Sequence, residues 1–367
     1  MKAFIRTLLL LALAAMMGCG SSSTVTKPLE FLYAVGQPNN IFTVNILTSG
    51  EMQSASIFST PTAPRPVAMV LHPSTNFLYV ANLTSNAVSG FSVDHATGVL
   101  APVGNALPPT PTDPQPTALG IDPGGHFLFV MTQGNPAATI PARISTFLID
   151  ARGLLTAGSS VDLAAPAQTL VVSPTANMLY VATGASIAVF SIGTNGALTP
   201  AAGGFTGAPG TSIAGMTIDS KGQFLYAADS GNNAVLSFTI DTSGALTPVG
   251  GSPFTAGTQP VSVAVDANNA FLYTANKGSN DISAFTVNAG VLTPVAGSPF
   301  PATTSGVTTA AQPAFITIDP TNQFVFVGNP GSSNISGFAI SLADGSLVAV
   351  TNSPFAAVGA TSIIVVK

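Results

Sequence analysis

Residues 260–300 show the pattern most clearly. Pro260 to Val265 is a run in which apolar residues alternate with small or polar ones, and it stops at Asp266-Ala267-Asn268-Asn269. Phe271 to Ala275 follows, turned by Asn276-Lys277-Gly278-Ser279-Asn280; Ile282 to Val287 ends at Asn288-Ala289-Gly290. Val291 to Ala296 then leaves through Gly297-Ser298-Pro299-Phe300. Each run is short, β-branched or aromatic, and bounded by turn residues, which predicts four strands. The unit recurs. Its second strand returns as Phe31-Leu32-Tyr33, Phe77-Leu78-Tyr79, Phe127-Leu128-Phe129, Met178-Leu179-Tyr180, Phe224-Leu225-Tyr226, Phe271-Leu272-Tyr273 and Phe324-Val325-Phe326, with central residues 46, 50, 51, 46, 47 and 53 apart. That period suits a four-stranded propeller blade.

The chain ends agree with a closed ring. The first unit starts at its second strand, and Thr361 to Val366 reads as a first strand with nothing after it. Together they predict a composite first blade, the C-terminal strand innermost. The expected fold is therefore all-β: a seven-bladed β-propeller of four-stranded blades over residues 30–367.

Composition narrows the alternatives. Charged residues are 6% of the chain, the net charge is -5 and mean hydropathy is +0.50. Neutralising phosphates needs a basic face, so a nucleic-acid partner is not expected. A single Cys excludes a disulfide framework and a Cys-based zinc cluster. Residues 163–218 carry no charge at all, which raises a transmembrane β-barrel as the competing fold. Barrel strands need ~9–11 residues and two aromatic girdles; these runs are shorter, with five Tyr and no Trp. A ring also leaves few free strand edges, which so uncharged a chain needs for solubility.

The N-terminus reads as an address. Lys2 and Arg6 precede an apolar stretch from Thr7 to Met17, too short to span a bilayer core. It ends in Met16-Met17-Gly18-Cys19, similar to the lipobox of bacterial lipoproteins, although Met16 stands where Leu is more usual. The resemblance implies a signal peptide over 1–18, lipidation of Cys19, and a tether over 19–29 beginning Gly20-Ser21-Ser22-Ser23-Thr24. With no Asp after the Cys, it implies an exported outer-membrane lipoprotein facing periplasm or cell surface.

Tyr79-Val80-Ala81-Asn82, with His72-Pro73 before it, resembles the YVTN-type repeat. Gly244-Ala245-Leu246-Thr247-Pro248 and Gly290-Val291-Leu292-Thr293-Pro294 are similar to runs in the seven-bladed lactonase-like propellers, which include propeller-type 6-phosphogluconolactonases. The resemblance spans residues 31–367 and rests mainly on scaffold residues, so it implies the fold more strongly than the activity.

Propeller ligands commonly sit where the innermost strands begin. Counting back from each following turn places Arg65, Gln115, Pro166, Ser212, Gln259 and Gln312 there, with Thr361 or Ser362 in the composite blade. This ring of amides and hydroxyls reads either as a polar ligand site with one anion-seeking group or as satisfied strand ends. The loops of that face add Lys277, Asp229 and Asp281, plus Arg143 beside an enlarged loop from Gln133 to Ala142. That loop reads as a lid, a partner contact or a tolerated excursion. Candidate catalytic residues are Arg65, Arg143, Asp229 and Asp281; candidate ligand-binding residues are Gln115, Ser212, Gln259, Lys277 and Gln312.

On the opposite face, Asp122, Asp219, Asp266 and Asp319 share one turn position with His72, and Asp there caps its own turn. His126 and His95 lie in turns of the same face. No nucleophile elbow, phosphate loop or zinc-ligand spacing occurs, so no metal and no cofactor are expected. Lactone hydrolysis needs oxyanion donors and a base; Asp229 and Asp281 are the carboxylates that fall on the mouth side. Two readings stand side by side. One is a lipid-anchored lactonase-like hydrolase of a sugar or organic lactone. The other is a non-catalytic surface propeller binding a partner protein or cell-envelope glycan.

Overall fold

The computed structural model describes residues 30–36, 39–103, 110–135, 137, 139–207, 211–303, 311–357 and 359–367. The leader, Cys19 and the tether lie outside the described residues, as do Pro136 and Ala138 of the enlarged loop. Seven antiparallel sheets form seven blades around an axis. Ser362–Val366 lies innermost in the first blade and pairs with Glu30–Gly36, Tyr33 opposite Ile364. The composite blade expected from the chain ends is thus present.

The buried apolar side chains of the described residues fall into seven clusters, and each spans one interface between adjacent blades. The repeat explains why. The first residue of each Phe-Leu-Tyr run lies over a glycine in the third-to-fourth-strand turn of the next blade. The pairs are Phe31 on Gly98, Phe77 on Gly153, Phe127 on Gly196, Met178 on Gly244, Phe224 on Gly290, Phe271 on Gly345 and, closing the ring, Phe324 on Gly50. All seven glycines have φ between +72° and +84°. A Cβ on any of them would fall inside 3 Å of the side chain above it, so conformation and space both demand glycine.

The third residue of the run adds a hydrogen bond. Tyr33, Tyr79, Tyr180 and Tyr273 are fully buried, and each donates its hydroxyl to the carbonyl of the same glycine at 2.9–3.0 Å. In blades three and five, where this pattern lapses, a substitute appears. Phe129 has no hydroxyl, and Thr146 donates to Gly196 instead at 3.0 Å. Tyr226 turns to Asn269, and Ser237 donates to Gly290 at 2.7 Å.

The fourth strand differs from the sequence expectation. In blade six, Val291–Pro294 pairs with the end of the third strand, and Phe300–Pro301 returns to pair with its start. Between them Ser298 accepts the N–H of Ala284 at 2.9 Å, covering a donor the gap would orphan. Ser252 and Ser353 do the same in blades five and seven. The Gly-Ser-Pro-Phe signature therefore bridges one interrupted strand and is no exit from the blade.

The repeated acidic turns brace the strands, reaching further than two residues. Asp219, Asp266 and Asp319 each take the N–H groups four and five residues on, at 2.6–2.8 Å, tying each turn to its second strand. At the ring closure the chain has no such turn. Glu30 sits there wholly buried, and neither carboxyl oxygen has a hydrogen-bond partner. Burial, reinforced by the charge of Asp319 and partly offset by Lys367, pushes its pKa up to about 7.

Two predictions follow from these contacts. Gly290→Ala should lower unfolding stability by roughly 2–4 kcal/mol, whereas Gly184→Ala should cost about 1 kcal/mol. Gly184 shares the positive φ but has nothing within 4 Å of an added Cβ. Equal losses in denaturant titrations would remove the packing argument. For Glu30 the folded pKa lies above the ordinary 4.5, so its stabilising effect is complete below that pH and is lost as pH rises through about 7. Glu30→Gln should accordingly raise stability at pH 8 by roughly 2–3 kcal/mol and change little at pH 4. A variant that tracks wild type at both pH values contradicts this.

Candidate functional site at the channel mouth

Each innermost strand enters the ring through a kink. In blades two, three, five and six the pairing with the second strand slips by one residue near the start. The unpaired residues of these bulges are Val67, Thr117, Ala214 and Val261. A bulge re-aims its residue, and all four line a cavity of about 430 Å³ on the propeller axis. Gln168, Ala314 and Thr361 hold the corresponding place in the other blades and line the same cavity. Thr169, Ser262 and Ser362 form part of the next layer. At Gly215 the innermost strands of blades five and six approach closely, since a Cβ there would press on the Val261 carbonyl.

The lining combines hydroxyl and amide groups with apolar side chains, Phe315, Met69 and Met216 among them, and has no charged residue among those described. Gln168 is its strongest polar group. Its carbonyl oxygen accepts the N–H of Gly184 at 2.7 Å, which fixes the side chain and leaves the amide N–H groups to donate elsewhere. Sequence reasoning missed it because the position it counted in blade four was Pro166, two residues upstream of the residue that lines the cavity.

That left-handed position is where the sequence placed the mouth ring. Arg65, Gln115, Gln259 and Gln312 have φ of 58°, 59°, 52° and 46°. Each N–H is held by an Asn from the preceding blade: Asn39, Asn86, Asn233 and Asn280, at 2.8–3.2 Å. These four side chains are exposed, and none lines the cavity. Their backbones link neighbouring blades at the rim.

Among the expected charged groups, most are engaged in the scaffold. Asp229 is buried. Its Oδ1 accepts the N–H groups of Ser212, Gly231 and Asn232 at 2.8–3.2 Å, and its Oδ2 the side-chain amide of Asn232 at 2.9 Å. Ser212 is thus drawn to Asp229 through its backbone. Oδ1 of Asp281 accepts Asn276 at 2.7 Å and Ser279 at 2.9 Å. Arg143 reaches Asp162 at 2.7 Å and Asp113 at 3.4 Å. Burial alone would lower its pKa, but the bond to Asp162 and the two carboxylate charges hold it above its usual value. Lys277 is exposed, its N–H donating to Gln259 at 2.9 Å. The structure thus pairs Ser212 with Asp229 and Gln259 with Lys277, through backbone in both cases, and among the described residues it assembles no acid–base group on the axis.

The histidines lie in turns of the other face. His72 reaches Gly125 of the next blade at 2.9 Å, and His95 reaches the Lys367 carbonyl at 3.0 Å. His126 stands against Asp122 at 3.4 Å. Among the described residues no group of three or more His, Cys, Asp or Glu could hold a metal ion.

Ring and cavity together define a closed propeller with an uncharged ligand-sized chamber at its axis. The chain belongs to the lactonase family of seven-bladed β-propellers, whose model matches residues 109–359. No curated protein matches it. Among solved structures it resembles the periplasmic gluconolactonase PpgL of Pseudomonas aeruginosa, at 17% identity and TM-score 0.75, covering 92% of this chain and 99% of that one. A putative 6-phosphogluconolactonase from Bacteroides uniformis is similar at 18% identity and TM-score 0.76, over 92% and 99%. One from Bacteroides fragilis is similar at 19% identity and TM-score 0.74, over 94% and 99%. At these identities the likeness is one of fold.

Proposed function

We propose that the propeller binds an uncharged lactone in the axial cavity and hydrolyses it, as an exported protein anchored through Cys19. The observation that carries the choice of ligand is the neutral hydroxyl and amide lining, seated in a lactonase-family ring. On this reading the amide N–H groups of Gln168, whose oxygen is held by Gly184, donate to the lactone carbonyl, and Thr117, Ser262 and Thr361 offer hydroxyls to the ring. A phosphorylated substrate would find no cation in the lining. Arg65 and Lys277 would meet only what protrudes from the mouth. Export is supported by the leader pattern and by a neighbour described as periplasmic.

A second reading is favoured by a specific observation. No carboxylate or imidazole lines the cavity among the described residues, so no side chain there activates water. On that reading the ring binds without turnover a neutral small molecule, or it docks an envelope protein or glycan.

Base consumption at constant pH, with sugar lactones and simple aliphatic lactones, separates the two. The hydrolase reading expects turnover of uncharged lactones, no gain from a phosphate, and a loss of roughly 10–100-fold in kcat/KM for Gln168→Leu. Arg65→Ala should stay within about twofold, as an exposed rim group. Loss in Arg65→Ala without loss in Gln168→Leu would move the site to the rim. Saturable binding with no turnover selects the second reading. For the anchor, Cys19→Ser should abolish incorporation of labelled fatty acid; labelling that persists excludes lipidation at Cys19.

A further inference from the structure

The rim of the ring is uneven at one place. The second and third strands of blades two, five, six and seven are joined by four residues, those of blade four by Gly184 and Ala185, and those of blade three by residues 133–142. This long loop is no loose excursion. Asn135 and Ile140 exchange both backbone hydrogen bonds, at 2.9 and 3.0 Å, which makes it a small hairpin. Its base is tied by the Leu163 N–H to the Ala142 carbonyl at 2.8 Å. The adjoining Arg143–Asp162 and Arg143–Asp113 ion pairs fix it further. The hairpin thus stands as a wall on blade three beside the connector, residues 163–166, that leads into blade four.

Between them lies a second cavity, of about 350 Å³. Ile140, Pro141, Leu163, Ala165 and Pro166 form much of its surface, and no charged residue lines it among those described. Gln133 and Thr139 are its polar members, and Gln133 connects it to the axial lining. The Gln133 amide donates to Thr117, a residue of the axial lining, at 3.4 Å, and to the Ala167 carbonyl. Pro166 of this groove and Gln168 of the axial lining are two residues apart. The two cavities are therefore neighbours across the Gln133–Thr117 contact, the axial one the more polar and the groove largely apolar.

We infer that this groove is a subsite for an aliphatic substituent on the ligand whose ring occupies the axial cavity. The preferred ligand is then an uncharged lactone carrying an alkyl or acyl tail, and a bare sugar lactone fills only half of the site. The inference rests on the axial-ligand reading above. A site with a polar ring chamber and an adjoining apolar slot discriminates by the length of the apolar part. The groove has room for a chain of several carbons, since a water-sized volume is ~30 Å³. Full burial of a methylene is worth about fourfold in affinity, and a groove open on one side should give roughly half that, about twofold per carbon.

The test is calorimetric titration of the purified, detergent-free protein with γ-butyrolactone, γ-hexalactone, γ-octalactone and γ-decalactone, with turnover recorded in parallel. Affinity should rise about twofold per carbon until the groove is full, then level off. Ala165→Asp, at an exposed position, should abolish the length dependence while leaving γ-butyrolactone unchanged. Ile140→Ser should weaken the dependence, as a second variant that does not add a charge. Affinity independent of tail length in the wild type overturns the subsite, even if short lactones are turned over and the hydrolase reading stands. Length-dependent binding with no turnover leaves the subsite standing and removes the hydrolase reading. Equal binding of a straight-chain alkyl amide lacking the lactone ring would separate the groove from the axis and overturn the inference.

Discussion

The contact on which this molecule depends is a large apolar side chain, aromatic at six interfaces and Met178 at the seventh, resting on a glycine of the next blade around the whole ring. It requires two things of each blade: a large apolar residue at the start of the second strand, and a left-handed residue without a side chain in the third-to-fourth-strand turn. Nearly everything else follows. The buried tyrosine beneath the aromatic finds its acceptor on that same glycine, so a bulky side chain is packed and its hydroxyl satisfied by one partner. The apolar clusters lie between blades because that is where these side chains are aimed. A chain with so few charges stays compact because its strongest packing surfaces are turned toward one another.

Much of this was legible in the sequence. Phe-Leu-Tyr recurs because the interlock uses its first and third residues, and turn glycines such as Gly244 and Gly290 recur because they receive it. The composite first blade was legible because Phe31 opens a unit and Val366 ends one. Two features were not. The fourth strand is broken and resumed, and nothing in Val291 to Ala296 announces that Phe300 returns to the same partner. The serine that makes the break tolerable, Ser298, looks like any turn serine. The inner-strand bulge was also hidden, because Val67 and Val261 fit an unbroken alternating strand equally well.

That bulge governs what can be said of the site. Arg65, Gln115, Gln259 and Gln312 share one position because those four blades take over from the one before through a left-handed residue. Their likeness to one another reflects that backbone requirement and so carries little information about a ligand. Asp229 and Arg143 illustrate the same effect in charged form: each saturates scaffold partners. The residue that stands apart is Gln168, the one side-chain amide among the described residues of a lining otherwise made of hydroxyl-bearing and apolar residues. Function in such repeats shows where a blade departs from its siblings, and blade three with its hairpin and blade four with its amide are those departures.

The glycine contact has a further consequence. Each blade carries the aromatic and its receptor on opposite sides, so the same surface pairing is used at every interface, head to tail. Such pairing has no inherent stopping point; only the angle between blades brings Phe324 round to Gly50. An incomplete ring would present one unmatched aromatic and one unmatched glycine turn, each complementary to the other end of a second copy. Partial chains of this protein are thus matched to one another as well as to their missing parts, which makes ring completion a safeguard against polymerisation.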